Sequence, residues 1–164
     1  MREIEKPLFN KITDIASAKA LVDGWKNEDK KVVFTNGVFD LLHIGHISYL
    51  SKAAELGDKL IIGLNADSSV KRIKGESRPI NNQNTRAVLL ASFFFVDAVV
   101  TFEEDTPLNL ISTLLPDVLI KGADYSIENI VGAKEVLANG GEVKTITFVD
   151  GYSSTSIINR IKEK

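Results

Sequence analysis

Five short runs of apolar and β-branched residues, each separated from the next by a stretch with helical periodicity, constrain this chain more than any other feature. The runs are Lys31 to Asn36, Lys59 to Asn65, Ala98 to Phe102, Asp117 to Lys121 and Glu142 to Phe148. Between them lie predicted helices: one from the turn after the first run to Leu56, a short one over Asp67 to Ile73, one over Asn84 to Phe95, one from Thr106-Pro107 to Leu115, and one ending near Ala138 before the Gly140-Gly141 turn. Thr106 followed by Pro107 is a helix-start signal, because proline tolerates the first helical position. A further helix over Asp14 to Lys26 precedes the first strand, with Ile15, Ala18, Leu21, Val22 and Trp25 on one stripe, and Ser153 to Lys162 forms the last. Strands that alternate with helices at this spacing give a parallel sheet covered by helices on both faces. The expectation is one α/β domain over 1–164 with a five-stranded sheet, 1–30 a helical extension and 31–161 the core.

In such sheets ligands sit beyond the carboxyl ends of the strands, near the point where strand order reverses. At the end of the first strand stands Thr35-Asn36-Gly37-Val38-Phe39-Asp40-Leu41-Leu42-His43-Ile44-Gly45-His46, which holds both histidines of the chain. The start of a helix leaves N–H groups unpaired and carries partial positive charge. Two imidazoles beside it make a site for a polyphosphate. The metal reading is weaker: a zinc-protease pair has its histidines four apart with a glutamate between, and that pattern is absent. Gly37 permits close backbone approach, and Asp40 caps or orients the turn.

Other strand ends carry chemistry too. Asn65 and Asp67 follow the second strand. The segment from Lys71 to Pro79 is densely basic, holding Arg72, Lys74 and Arg78 around Gly75, with Arg86 on the next helix. It is either solvated surface or a loop that closes on phosphates. Lys121-Gly122-Ala123-Asp124-Tyr125 ends the fourth strand. Ser153-Ser154-Thr155-Ser156 opens the last helix with four hydroxyls, more than one N-cap needs.

Composition limits the alternatives. The 164 residues carry a net charge of -2, which gives no general attraction for nucleic acid. There is no cysteine, so disulfides and thiolate metal sites are excluded. The N-terminus lacks the apolar stretch of a signal peptide, and Ala87 to Val100, broken by Ser92 and Asp97, is too short to span a bilayer. A cytoplasmic protein is expected, without membrane or nucleic-acid partners. Phe93-Phe94-Phe95 places three aromatics in a row on a predicted helix, where one face cannot take all three. One is expected outward, at the interface of a homodimer.

The pattern Gly-x-Phe-Asp-x-Leu-His-x-Gly-His at Gly37 to His46 resembles the signature of the cytidylyltransferase-like nucleotidyltransferases. Gly63-Leu64-Asn65-Ala66-Asp67, Lys74-Gly75 with Arg78-Pro79-Ile80-Asn81, Phe102 to Pro107, Pro116 to Tyr125, and Asn139 to Val143 resemble one branch, the bacterial heptose 1-phosphate adenylyltransferases. The resemblance runs from Lys31 to Ile161. In many bacteria that domain is fused to a sugar kinase; the stand-alone form is the expectation for this chain. The chain departs from the family where Ser153-Ser154-Thr155 is followed by Ser156 rather than arginine, where Ala123 replaces a glycine, and where Thr85 replaces an acidic residue.

The resemblance implies transfer of AMP from ATP to a sugar 1-phosphate, giving ADP-heptose for lipopolysaccharide. His43, His46 and Lys74 would act on the reacting phosphates. Asn36, Gly37, Phe39, Asp40, Asn65, Asp67, Lys121, Gly122, Asp124, Ser153, Ser154 and Thr155 would seat the nucleotide or sugar, and Arg72, Arg78 and Arg86 would clamp substrate or phosphate. Mg²⁺ would travel with the phosphates, with no metal held by the protein alone. The alternatives are a cytidylyltransferase acting on glycerol 3-phosphate or a related alcohol phosphate, and a nucleotide-binding module that has lost turnover.

Overall fold

The computed structural model describes residues 5–123, 126–147 and 151–163. The chain runs α1 (Glu5–Phe9), β1 (Ile12–Thr13), α2 (Ile15–Asn27), β2 (Val32–Gly37), α3 (Ile44–Ala54), β3 (Lys59–Asn65), α4 (Asp67–Lys74), α5 (Gln83–Ala91), β4 (Ala98–Phe102), α6 (Leu108–Leu114), β5 (Val118–Gly122), a 3-10 turn (Ile127–Asn129), α7 (Ala133–Ala138), β6 (Glu142–Ile146) and α8 (Ser154–Lys162). The strands form one sheet in the order β1-β4-β3-β2-β5-β6, all neighbours parallel. From β2 the chain winds outward through β3 to β4, then returns to lay β5 on the other side of β2. The reversal between β2 and β5 is the switch point of this Rossmann-like fold, and it sets where a ligand can enter.

Both faces of the sheet are covered, so successive residues of a strand bury in opposite layers. Val32 and Phe34 join Ile61, Val100 and Leu119 beneath α2, α6 and α7, through Val22, Leu110, Ile111 and Val136. Val33 joins Leu60, Ile62, Val99 and Ile120 beneath α3 and α5, through Leu50, Ala53, Ala87 and Leu90. Double burial is why these strands read as continuous apolar runs rather than as alternations.

The sheet has six strands, not the five expected. The addition is β1, which pairs Ile12 with Val99 and Thr13 with Val100 on the outer edge of β4. A backbone bond from the Val99 N–H to the Lys11 carbonyl (2.8 Å) leads into it. Two residues are too few to show periodicity, yet they cover ladder groups that β4 would otherwise expose. The second correction concerns the aromatic run. α5 ends at Ala91, and the Ser92 hydroxyl donates to the Leu89 carbonyl (2.6 Å) as the chain turns. The turn stacks Phe93 on Phe95 (5.3 Å) against the core and leaves Phe94 94% exposed. No helix among the described residues is long and apolar enough to cross a membrane.

Candidate active site

The β2–α3 turn builds the floor of the site. His43 is the N-cap of α3 in extended conformation, and His46 lies three residues on. Their rings stack at 3.9 Å, and Phe39 meets His46 edge-on at 5.4 Å. Gly45 is dictated by this packing: a Cβ there would lie 3.0 Å from His43 Nδ1 and 3.5 Å from the Tyr152 Cβ. Gly37 answers to Phe39 in the same way, since its Cβ would come within 3.0 Å of the Phe39 ring.

Burial lowers the pKa of His46 to about 4, with the neighbouring His43 adding to the effect. Burial lowers that of His43 as well. Both rings are therefore neutral near pH 7 and can act as hydrogen-bonding groups rather than as fixed cations. Among the described residues, His43 Nδ1, His46 Nδ1 and Asn36 Oδ1 are buried without a hydrogen-bond partner. An unpartnered buried polar atom costs stability, and three between the end of β2 and the first turn of α3 point to a ligand that satisfies them.

The start of α8 faces this turn. Ser153 and Ser156 form a reciprocal capping box, Ser153 Oγ accepting from the Ser156 N–H at 3.0 Å. The Ser154 hydroxyl donates to the Leu41 carbonyl (3.0 Å), tying the helix to the histidine turn. Thr155 lines the cleft, and its hydroxyl makes no hydrogen bond among the described residues. The four hydroxyls thus divide between capping, tethering and an open face.

The cleft between these elements has a volume of about 690 Å³. It brings together Asn36, Gly37, Phe39, Asp40, His43, His46, Asn65, Lys74, Arg78, Lys121, Gly122, Ser153, Ser154 and Thr155, from five separate parts of the sequence. Asp124 lies outside the described residues. Asp67, Arg72 and Arg86 do not line it. The clamp expected of Arg86 does not fit its surroundings. Its side chain is fully buried, bonded to the carbonyls of Val38 (2.7 Å), Asn65 (2.9 Å) and Asn81 (2.9 Å) and to the Asp67 carboxylate (2.7 Å). Asp67, in turn, is engaged by that pair. Arg72 pairs with Asp105 at 2.6 Å and donates to the Glu103 carbonyl.

Sequence reasoning missed several lining residues. Thr106 and Pro107, read as a helix start, also form one wall, and Asn129 to Val131 form another. The position of Thr106 just past a strand end was an available signal; the segment around Asn129 carries none. Tyr152, beside the hydroxyl run, lies in parallel stacking over His43 at 6.5 Å.

The fold and this cleft define a class. The cytidylyltransferase-like family pattern matches residues 34–160, and the chain belongs to that family. Within it, the chain is 55% identical over 159 residues to the bifunctional protein HldE of Campylobacter jejuni, covering 95% of this chain and 34% of that protein. To the bifunctional protein HldE of Haemophilus ducreyi it is 58% identical over 137 residues, 84% of this chain and 29% of that one. The chain thus spans about a third of the length of these relatives. Among solved structures, a lipopolysaccharide core biosynthesis protein from Thermoplasma volcanium superposes with a TM-score of 0.59 and 29% identity, over 76% of this chain and 99% of that one. A pantoate-beta-alanine ligase from Francisella tularensis, at 15% identity and a TM-score of 0.58 over 93% of this chain and 78% of that one, shares the fold.

Proposed function

We propose that this protein transfers AMP from ATP to a heptose 1-phosphate, releasing pyrophosphate and forming ADP-heptose. The observation that carries the reading is the pair of stacked, neutral histidines with unpartnered buried nitrogens at the start of α3, facing the hydroxyl-lined start of α8 across one cleft. The identity to HldE proteins and the motif resemblance to heptose 1-phosphate adenylyltransferases support this acceptor.

The phosphate oxygen of the sugar attacks the α-phosphorus of ATP. A new P–O bond forms as the bond to the β-phosphate oxygen breaks, and the electron pair leaves with pyrophosphate. The nucleophile is already anionic, so no general base is required. What the chain supplies is alignment and stabilisation of the charge that moves onto the bridging oxygen. His43 and His46 donate to the α- and β-phosphates. The unpaired N–H groups of α8, with Thr155, hold the β- and γ-phosphates. Lys74 meets the triphosphate from the opposite wall, while Asn36, Lys121, Gly122 and Asp124 seat nucleoside or sugar. Mg²⁺ would enter as a companion of the phosphates rather than of a protein cage. When bound it neutralises phosphate charge.

Pyrophosphate release tests the reading. Heptose 1-phosphate with ATP is expected to support turnover, and CTP with glycerol 3-phosphate is not. Turnover only with CTP and an alcohol phosphate would replace the proposal with the cytidylyltransferase reading; no turnover with either would favour a binding module. Such chemistry belongs in the cytoplasm, where ATP and sugar phosphates meet. We further infer a homodimer, with Phe94 at its interface: its exposed ring packs edge-on to Phe95 at 5.2 Å and has no other ring to cover it among the described residues. Light scattering at micromolar concentration is expected to give twice the chain mass, and Phe94→Ser to give the monomer. A monomeric parent protein would exclude the dimer.

A further inference from the structure

The basic segment that closes α4 and runs on toward α5 has four cations, and the structure treats them differently. Lys71 reaches Glu76 at 3.9 Å. Arg72 is held by Asp105 at the upstream end. Arg78 donates through Nε to Asp40 Oδ2 at 2.6 Å, with 14% of its side chain exposed and 1% of that of Asp40. The Lys74 side chain has no ion pair or hydrogen bond among the described residues, and like Arg78 it lines the cleft.

Asp40 does more than pair with one arginine. Its carboxylate also accepts the backbone N–H groups of Ile80 (2.8 Å) and Asn81 (2.9 Å), and its carbonyl accepts from the Asn81 side chain (3.0 Å). These donors hold its carboxyl below the usual carboxylate range despite burial. Arg86 grips the same two strands of chain from the other side, through the carbonyls of Asn81 and Val38. Residues 78–81 are thus bolted to the turn that runs into His43. The segment between the bolts, Lys74 to Ser77, is exposed and passes through Gly75 at φ +94°.

We propose that Asp40, Arg78 and Arg86 form a brace that fixes the cationic loop against the histidine turn, so that Arg78 is a positioning residue acting through Asp40 and Lys74 is the cation of this loop that meets the phosphates. The inference rests on the nucleotidyltransferase reading but assigns different work to residues that charge alone would make equivalent.

A double-mutant cycle on the full chain separates acting through Asp40 from touching the substrate. Asp40→Asn and Arg78→Gln are each expected to lower kcat/KM for pyrophosphate release about tenfold, and their combination no more than about twofold further. Calorimetric Kd for ATP is expected to stay within about threefold of the parent in both single variants, because a positioning group affects alignment more than ground-state binding. Arg78→Lys, which keeps the pair with Asp40, is expected to recover most of the activity and covers the case in which glutamine impairs folding. Losses that multiply in the double variant, or a Kd for ATP weakened tenfold by Arg78→Gln alone, would make Arg78 a phosphate ligand and overturn the brace. Trypsin cleavage after Lys74 needs no substrate and so judges the brace even if the parent protein neither binds ATP nor turns over. Equal acceleration in both single variants, with none added in the double, supports it; unchanged cleavage overturns it.

Discussion

The two sides of the cleft solve opposite problems. On the histidine turn, polar atoms are buried and left without partners: His43 Nδ1, His46 Nδ1 and Asn36 Oδ1. On the basic side, charged groups are almost all engaged, whether exposed or buried: Arg72 by Asp105, Arg78 by Asp40, and Arg86, on α5, by Asp67. The difference shows that positive charge in a sequence does not tell which cations are left without a partner. A guanidinium that already has its carboxylate is part of the architecture, whereas a neutral imidazole without a partner is waiting for one.

The sharpest way to break this contrast is His46→Ala. If the imidazole stabilises charge only as the transition state forms, turnover falls by roughly 10²–10³ while the fold persists. Near-parental kcat, with an unchanged circular dichroism spectrum, would return His46 to a packing role. Next in size is Lys74→Ala. One charge-assisted hydrogen bond lost to a phosphate corresponds to roughly 10–100-fold in kcat/KM, with KM for the nucleotide raised. Steady-state kinetics that leave both constants unaltered would remove Lys74 from the site.

A smaller effect should appear in acid. The folded-state pKa of His46 lies at about 4, below its ordinary value of 6.5. Between these values the unfolded chain binds a proton that the folded chain does not. The stability from keeping His46 neutral is therefore complete above pH 6.5 and is lost as pH falls toward 4. Urea midpoints measured from pH 7.5 to 4.5 should drop, and His46→Gln should flatten the drop; parallel curves for the two proteins would contradict the assignment. The smallest effect is expected at Arg72, which is half exposed and outside the cleft. Arg72→Gln should change kcat/KM by no more than about threefold, since an exposed pair contributes little. A loss as large as that of Lys74→Ala would place Arg72 on the substrate after all.

The sequence made the order of elements legible because strands buried on both faces leave continuous apolar runs, and because the histidines and hydroxyls follow strand ends directly. It hid β1, whose two residues act through backbone pairing and need no particular side chains. It also hid the end of α5, since Phe93 to Phe95 satisfy helical propensity and a turn equally well until Ser92 is seen bonding back to Leu89. Within the site, the partnership of Asp40 with Arg78 joins residues 38 positions apart. Charge pattern along a chain carries no information about such a distant pairing. Asn129 to Val131 enter the cleft only because β5 returns beside β2, which no local motif records.

One bond links two events far apart in the life of the chain. The Ser154 hydroxyl reaches the Leu41 carbonyl across 113 positions, and among the described residues α8 contributes none of the buried hydrophobic side chains of the two core layers. During synthesis the histidine turn leaves the ribosome early, and the sheet can close its core before α8 arrives. A nascent chain, or one trimmed by a protease ahead of Ser153, would keep every buried side chain of the two core layers while losing the face that α8 presents to the cleft.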